Sequence, residues 1–324
     1  MPVALFVLWI FSSGAYSQSQ QQDSVVTLLF AGDVTLADAL ELSLGNRTVG
    51  VFDNWNVGGK DLFMVNLENP ITNSLDTVPK EFNFRMHPKY VDALRRGSID
   101  VVNLANNHTF DFGTAGLFET MRILDSVGIP YVGAGTNLDD SRQPLIYTLK
   151  GMRIGFLGFH GRGAVWNATP SKPGVAPRTE KVILKDVAKL RPLVDFLVVN
   201  FHWGTELAET PDRGQILLAH QTIDAGADLI VGHHPHVLQG IEEYRGKVIA
   251  YSLGNFVFGG NARANYETAI LRVKISSNGN ESEIVPVEVR NYHPRLAAGK
   301  TSASVLRSVK ERSKIFKRTI LQLN

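Results

Sequence analysis

The stretch Asp224-Ala225-Gly226-Ala227-Asp228-Leu229-Ile230-Val231-Gly232-His233-His234-Pro235-His236 holds a helix end, a strand and a histidine cluster in succession. Gly226 stands where the helix-period segment 215–225 stops, and glycine takes a left-handed conformation there without a Cβ clash. The β-branched run 228–232 then reads as a buried strand. Histidine is a soft choice for a core and the commonest neutral metal ligand. Three imidazoles in four positions at a strand's end make sense if a cation holds at least two of them.

The same grammar recurs at Arg95-Arg96-Gly97-Ser98-Ile99-Asp100-Val101 and Ser126-Val127-Gly128-Ile129-Pro130, where glycine again separates a helix from a strand. Apolar runs fall at 25–31, 62–67, 99–104, 153–159, 195–201, 228–232 and 248–253. Helix-period segments lie at 90–96, 115–126, 182–190 and 215–225. Buried-type strands alternating with helices imply an α/β fold. Beyond residue 266 the runs 268–275 and 283–289 flank Ser276-Ser277-Asn278-Gly279-Asn280, a hairpin signal, and 303–322 looks helical. That segment is too small for a core of its own, so 266–324 is expected to extend a main domain of 25–265.

The 324 residues are 44% hydrophobic with a net charge of +2, enough for a substantial core. So even a charge balance gives no argument for a nucleic-acid partner or an anionic membrane surface. The basic cluster Lys310, Arg312, Lys314, Lys317 and Arg318 reads as the wet face of a terminal helix. Val3 to Ile10 is apolar, and Ala15 and Ser17 fit a signal-peptidase site, although no Lys or Arg precedes the run. The expectation is a signal peptide over 1–17, a polar disordered lead-in over 18–24 and an exported chain, periplasmic or extracellular. The run is too short for a permanent membrane span. With no cysteine, disulfides, zinc-thiolate sites and thiol catalysis are excluded.

Polar residues collect just past the strands: Asp33, Glu68, Asn107-His108, His202, and the cluster at 233–236. In open α/β sheets ligands gather at the strands' carboxyl ends, so these distant residues can converge. Carboxylates, an amide oxygen and imidazoles suit Mn, Fe, Zn or Mg. Strand alternation puts His234 and His236 on one face and leaves His233 as the non-ligand. Asp111 either orients His108 or caps the helix starting near Thr114, and Glu206 is a candidate support for His202. Asn106 reads as a turn residue or a functional one, and Arg85 as a surface arginine. His87, His160, His220 and His293 have no companions and read as structural.

Taken in order, these residues resemble the calcineurin-like metallophosphoesterase superfamily. More specifically they resemble the bacterial capsule-synthesis protein CapA family, linked to poly-γ-glutamate synthesis and export. The matching phrases are Gly32-Asp33-Val34, Asn66-Leu67-Glu68, Leu104-Ala105-Asn106-Asn107-His108, His202-Trp203-Gly204, Asp224 to His236, and Tyr251-Ser252-Leu253-Gly254-Asn255-Phe256, over about residues 27–258. The resemblance implies a β-sandwich flanked by helices in four α/β/β/α layers, with one or two divalent ions at the strand ends. One ion would take Asp33, Glu68 and His236; the other Glu68, Asn107, His202 and His234. His108 would protonate the leaving oxygen. The implied partners are an anionic polymer or phosphoester substrate and an envelope capsule-synthesis complex. Two departures stand out: Thr35 replaces the histidine of the superfamily's Asp-x-His motif, and Glu68 replaces its bridging aspartate. Three functions follow: a metal-dependent hydrolase of capsule synthesis, a non-catalytic polyanion- or partner-binding module, and a general periplasmic phosphodiesterase.

Overall fold

Val26–Thr35 (β1) is buried along its whole length, as a central strand covered on both faces must be. The structure, a computed structural model, describes residues 25–37, 40, 45–161, 165–260 and 263–320. The expected signal peptide and lead-in lie outside the described residues. After β1 come β2 (Leu62–Leu67), β3 (Val101–Asn103), β4 (Tyr131–Val132), β5 (Ala134–Gly135), β6 (Leu145–Leu149), β7 (Met152–His160) and β8 (Gly174–Val175). They are followed by β9 (Phe196–His202), β10 (Leu229–His233), β11 (Ile241–Tyr244), β12 (Lys247–Ala250), β13 (Asn255–Phe258), β14 (Tyr266–Ser276), β15 (Gly279–Arg290) and β16 (His293–Leu296).

Two large sheets form from them, and β5 and β8 pair separately as a two-stranded piece. One large sheet runs β16-β15-β14-β1-β2-β3-β4 with β13 also paired to β1; the other runs β11-β12-β10-β9-β7-β6. Alternation along each strand builds three apolar layers. Val26, Leu28 and Phe30 of β1 meet Phe196 and Val198 of β9 between the sheets. Leu29 and Ala31 face outward with Phe63 and Val65, under Leu117 and Leu124 of the helix Gly113–Val127. Leu197, Val199 and Phe201 face the other way, against Ile183 and Val187 of the helix Glu180–Leu190 and Ala219 and Ile223 of the helix Arg213–Asp224. Each fully buried Leu, Val or Phe contributes about 1.5–3 kcal/mol. The result is the expected four-layer α/β/β/α arrangement.

The segment after residue 266 enters this architecture directly, since β14 pairs antiparallel with β1 from Val26↔Ile275 to Phe30↔Leu271. The terminal helix runs Gly299–Ser313, shorter than the expected 303–322, and Val305 and Val309 enter the layer between the sheets. Among the described residues no helix is long and apolar enough to cross a membrane.

The glycine joints divide. Gly128 caps its helix at φ 70°, and Gly226 adopts φ 120°. Gly97 does not follow: its φ is −70°, and Ser98 takes the left-handed turn at φ 53°. Gly97 is instead required by proximity, because a Cβ there would lie 3.0 Å from the Phe52 ring. Gly32 is more demanding still, since its Cβ would fall 1.7 Å from the Gly254 carbonyl oxygen. That contact brings β1 against the segment leading into β13 and sets the place of Asp33, whose N–H donates to the same oxygen at 2.9 Å.

Candidate metal centre

β1, β2, β9 and β10 bring their carboxyl ends to one rim of the sandwich. Asp33 sits where the β1 register shifts against both β2 and β13, and such a bulge re-aims a side chain. Glu68 follows β2 directly, and His202 ends β9 opposite His233 of β10. His234 and His236 lie beyond β10, with φ values of 97° and 58°. The alternation argument for them therefore fails, because both stand in a turn outside the strand. Positive φ at non-glycine residues costs on the order of 1–3 kcal/mol and persists where the surroundings over-determine it.

Asp33, Glu68 and His236 offer ligand atoms all within 4.8 Å of one another, as do Glu68, His202 and His234. Glu68 belongs to both groups. Asn107 joins the second through its Oδ1, 2.6 Å from His202 Nε2. All six expected ligand residues are thus brought together. Glu206 is not placed against His202 as expected; it forms a third such group with His234 and His236.

Glu68 is fully buried, and neither carboxylate oxygen has a hydrogen-bond partner. His202 Nε2 lies 3.3 Å from its Oε1 without hydrogen-bonding geometry. Burial, then the charge of Asp33, pushes the Glu68 carboxyl well above the usual carboxylate range. A buried ionised carboxylate without a partner is costly, and a cation is its natural partner. The donor set therefore fits a hard or borderline divalent ion.

Around Asp33 the situation is reversed. Burial opposes its ionisation, but His236 at 3.3 Å, the charge of His233 and the Asn66 amide at 2.8 Å hold it below its ordinary value. Burial also drives His202 well below the usual histidine range and His234 down to about 4, so both imidazoles are neutral at neutral pH, the form in which imidazole can bind a cation. His236, despite its burial, is raised to about 10 by Glu68 and Asp33. His233 is buried with Nδ1 unpartnered, 3.6 Å from Asp33, and none of the three ligand groups includes it.

His108 lies in the turn after β3, stacked on Phe84 at 4.2 Å between ring centroids. Its Nδ1 is 2.6 Å from Asp111 Oδ2. The capping alternative for Asp111 falls away, since Phe112 occupies the helix N-cap and Asp111 accepts instead from the Phe84 N–H at 2.7 Å. Lys80 was not legible in the sequence. Its Nζ donates to Asp111 Oδ1 and to the Asn107 carbonyl, both at 2.8 Å, and lies 3.0 Å from His108 Nδ1. Burial lowers the His108 pKa; Asp111 opposes this, and the charges of Lys80 and His236 add to it.

An amide ladder backs the site. Asn103 donates to Asn66 at 2.9 Å, and Asn66 reaches both Asp33 and, at 3.3 Å, His202 Nδ1. Asn106 donates to the Leu67 carbonyl and accepts from the His108 N–H at 3.1 Å, so it fixes the loop that presents His108. Asn255 holds His236 Nδ1 at 2.9 Å. The clue for this ladder was asparagine recurring at strand ends. His160 touches the site after all, its Nδ1 3.1 Å from the His202 carbonyl. His220 pairs with Glu242 at 3.0 Å, His87 caps a short 3-10 turn, and His293 holds the Asn291 carbonyl, all away from the cluster. Arg85 is half-buried, bonded to the Ser74 carbonyl and lying over the Phe112 ring.

The family model described as bacterial capsule synthesis protein PGA_cap matches residues 27–260. The PGA biosynthesis protein CapA of Bacillus subtilis strain 168 is 30% identical over 308 residues, covering 91% of this chain and 80% of that protein. The capsule biosynthesis protein CapA of Bacillus anthracis is 30% identical over 310 residues, covering 90% and 75%. Among solved structures, a novel phosphatase of Mycoplasma pneumoniae shares the fold with a TM-score of 0.51 at 14% identity, covering 83% of this chain and 95% of that one. The fold, the order of the rim residues and the extent of these matches agree: the chain belongs to the bacterial capsule synthesis protein family PGA_cap.

Proposed function

We propose that this protein is an exported, divalent-metal-dependent hydrolase of capsule-polymer synthesis, with a phosphoester as the bond cleaved. The observation that carries the reading is Glu68, a fully buried carboxylate with two unpartnered oxygens shared by two ligand groups. Asp33, Glu68 and His236 would hold one ion, and Glu68, Asn107, His202 and His234 a second. Such ions, when bound, neutralise charge on a phosphoryl group and make water a nucleophile at neutral pH. The chain's own residues supply the rest. Asp111 fixes His108 with Nδ1–H inward and, against burial, favours the imidazolium, whose Nε2–H would deliver the proton to the leaving oxygen. Lys80 braces Asp111 and the Asn107 carbonyl together, and the amide ladder orients Asp33 and His202. The capsule assignment rests on the names of the relatives.

One observation favours a second reading, a metal-stabilised module that binds polyanion without cleaving it. Thr35 is buried where the superfamily pattern has histidine, and its hydroxyl donates to the Glu68 carbonyl at 3.3 Å instead of offering a ligand nitrogen. Metal analysis of the purified chain combined with a phosphodiester screen separates the two. Bound metal with turnover supports the hydrolase, bound metal without turnover supports the module, and a metal-free chain removes both.

A further inference from the structure

The six rim residues would serve two ions unequally. An ion at Glu68, Asn107, His202 and His234 has four protein ligands. An ion at Asp33, Glu68 and His236 has three, because the Thr35 hydroxyl is turned to the Glu68 carbonyl. A further carboxylate stands beside them. Glu206 offers an oxygen that lies, with ligand nitrogens of His234 and His236, in a group spanning no more than 4.8 Å. It is exposed, and among the described residues its side chain makes no hydrogen bond or ion pair.

An exposed acid alone would mean little, but the loop that carries this one is fixed at both ends. After β9, Gly204 packs so closely on the next helix that a Cβ would lie 2.8 Å from the Gln215 side-chain amide. Gln215 is itself held in a capping box with Asp212. The Leu207 N–H donates to the Pro235 carbonyl at 2.8 Å, which ties the loop to the turn between His234 and His236. Gln239 donates to the Ala208 carbonyl, also at 2.8 Å. Leu207 takes φ 60° while its side chain is 67% exposed, so the strained backbone serves no packing of its own. Such strain persists only where the surroundings impose it, and it collects at functional sites. What this arrangement does is hold Glu206 against both imidazoles. Charge balance agrees, since two divalent ions against Asp33 and Glu68 leave positive charge that another carboxylate can match.

We propose that Glu206 is a direct ligand of the ion held by Asp33, Glu68 and His236, in place of the imidazole that Thr35 does not supply. With it, that ion has three carboxylates and one imidazole, an oxygen-rich set suited to a hard ion such as Mn²⁺, while its neighbour keeps two imidazoles. The inference rests on the proposed function only in that divalent ions occupy the cluster.

Titration of the metal-free full chain with Mn²⁺ alone tests it, read by calorimetry and by the paramagnetic resonance of the bound ion. Groups that merely support a metal ligand are typically worth about 10- to 100-fold in metal affinity, and a direct ligand should be worth no less. Glu206→Gln should therefore weaken one Mn²⁺ by about tenfold or more, with the other Mn²⁺ and the metal-free melting temperature unchanged. His202→Ala should remove the other ion. Glu209→Gln, an equal loss of charge on the same loop but in none of the ligand groups, should alter neither. Four results overturn the assignment: both ions unchanged in Glu206→Gln, equal weakening by Glu209→Gln, loss of the same ion in Glu206→Gln and His202→Ala, or a third ion that alone depends on Glu206. If His202→Ala does not fold, the loss of one ion and not both in Glu206→Gln still decides. A chain with a Glu206-dependent ion and no turnover keeps the inference and removes the hydrolase. A metal-dependent hydrolase whose ions ignore Glu206 does the reverse.

Discussion

Replacing Glu68 by Gln keeps the shape of the side chain and removes the charge that both ligand groups share. In metal-free protein, burial raises the Glu68 pKa above its ordinary value of 4.5, so the folded state binds that proton more tightly than the unfolded state. The associated stability is complete below the ordinary glutamate range and is lost as pH rises through the raised folded value. Metal-free protein should therefore weaken as pH rises through this window, and Glu68→Gln should flatten the dependence. Divalent metal acts in the opposite direction, because the ion becomes the missing partner. At a metal concentration a hundredfold above Kd, one site adds about 2.7 kcal/mol. For a chain of this size that corresponds to a rise in Tm of about 4 °C. In Glu68→Gln the two buried groups fall to two members each, and only the more open Glu206, His234 and His236 group stays whole. The metal-induced rise should then fall to about 1 °C or vanish. Thermal melts with and without Mn²⁺ at several pH values measure both effects. An equal metal-induced rise in the two proteins would refute the reasoning and move the ion away from Glu68.

Three further outcomes follow from the same geometry. His236 holds a proton in the metal-free site at neutral pH, so metal binding there should release about one proton and weaken as pH falls, which calorimetry in buffers of different ionisation enthalpy reads out. Asp111→Asn should lower turnover by on the order of 10- to 100-fold with metal content retained, because the substitution loosens the His108 ring without touching a ligand; unchanged turnover would remove Asp111 from the mechanism. Gly32→Ala forces a Cβ to within 1.7 Å of the Gly254 oxygen, so the strands must part; a loss of about 3 kcal/mol or more is expected in chemical denaturation, and a neutral result would show that β1 has room to shift.

Much of this was legible because buried parallel strands announce themselves. The run 62–67 coincides with β2, and the exits of β1, β2, β9 and β10 carry the polar residues that a rim site needs. What local pattern could not reveal was anything set by proximity across the chain. Gly97 looked like a cap by position and serves as a gap for Phe52. Lys80 sits in a loop with no motif and reaches His108 and Asp111 only through the fold. Arg312 belongs to a run that looks solvated, and one side chain of that run turns into a cavity. His234 and His236 do meet the cluster, but the turn after β10 and not strand alternation places them there.

The central claim is that the rim cluster works as a metal-dependent hydrolase with His108 as proton donor. The most direct measurement compares turnover of a phosphodiester such as bis(p-nitrophenyl) phosphate by the unaltered chain and by His108→Ala, at equal and measured metal content. The account predicts turnover that chelation abolishes and metal restores, and a loss of on the order of 100- to 10,000-fold in the variant with its metal retained. Turnover indifferent to His108, or none at full metal occupancy, would contradict it.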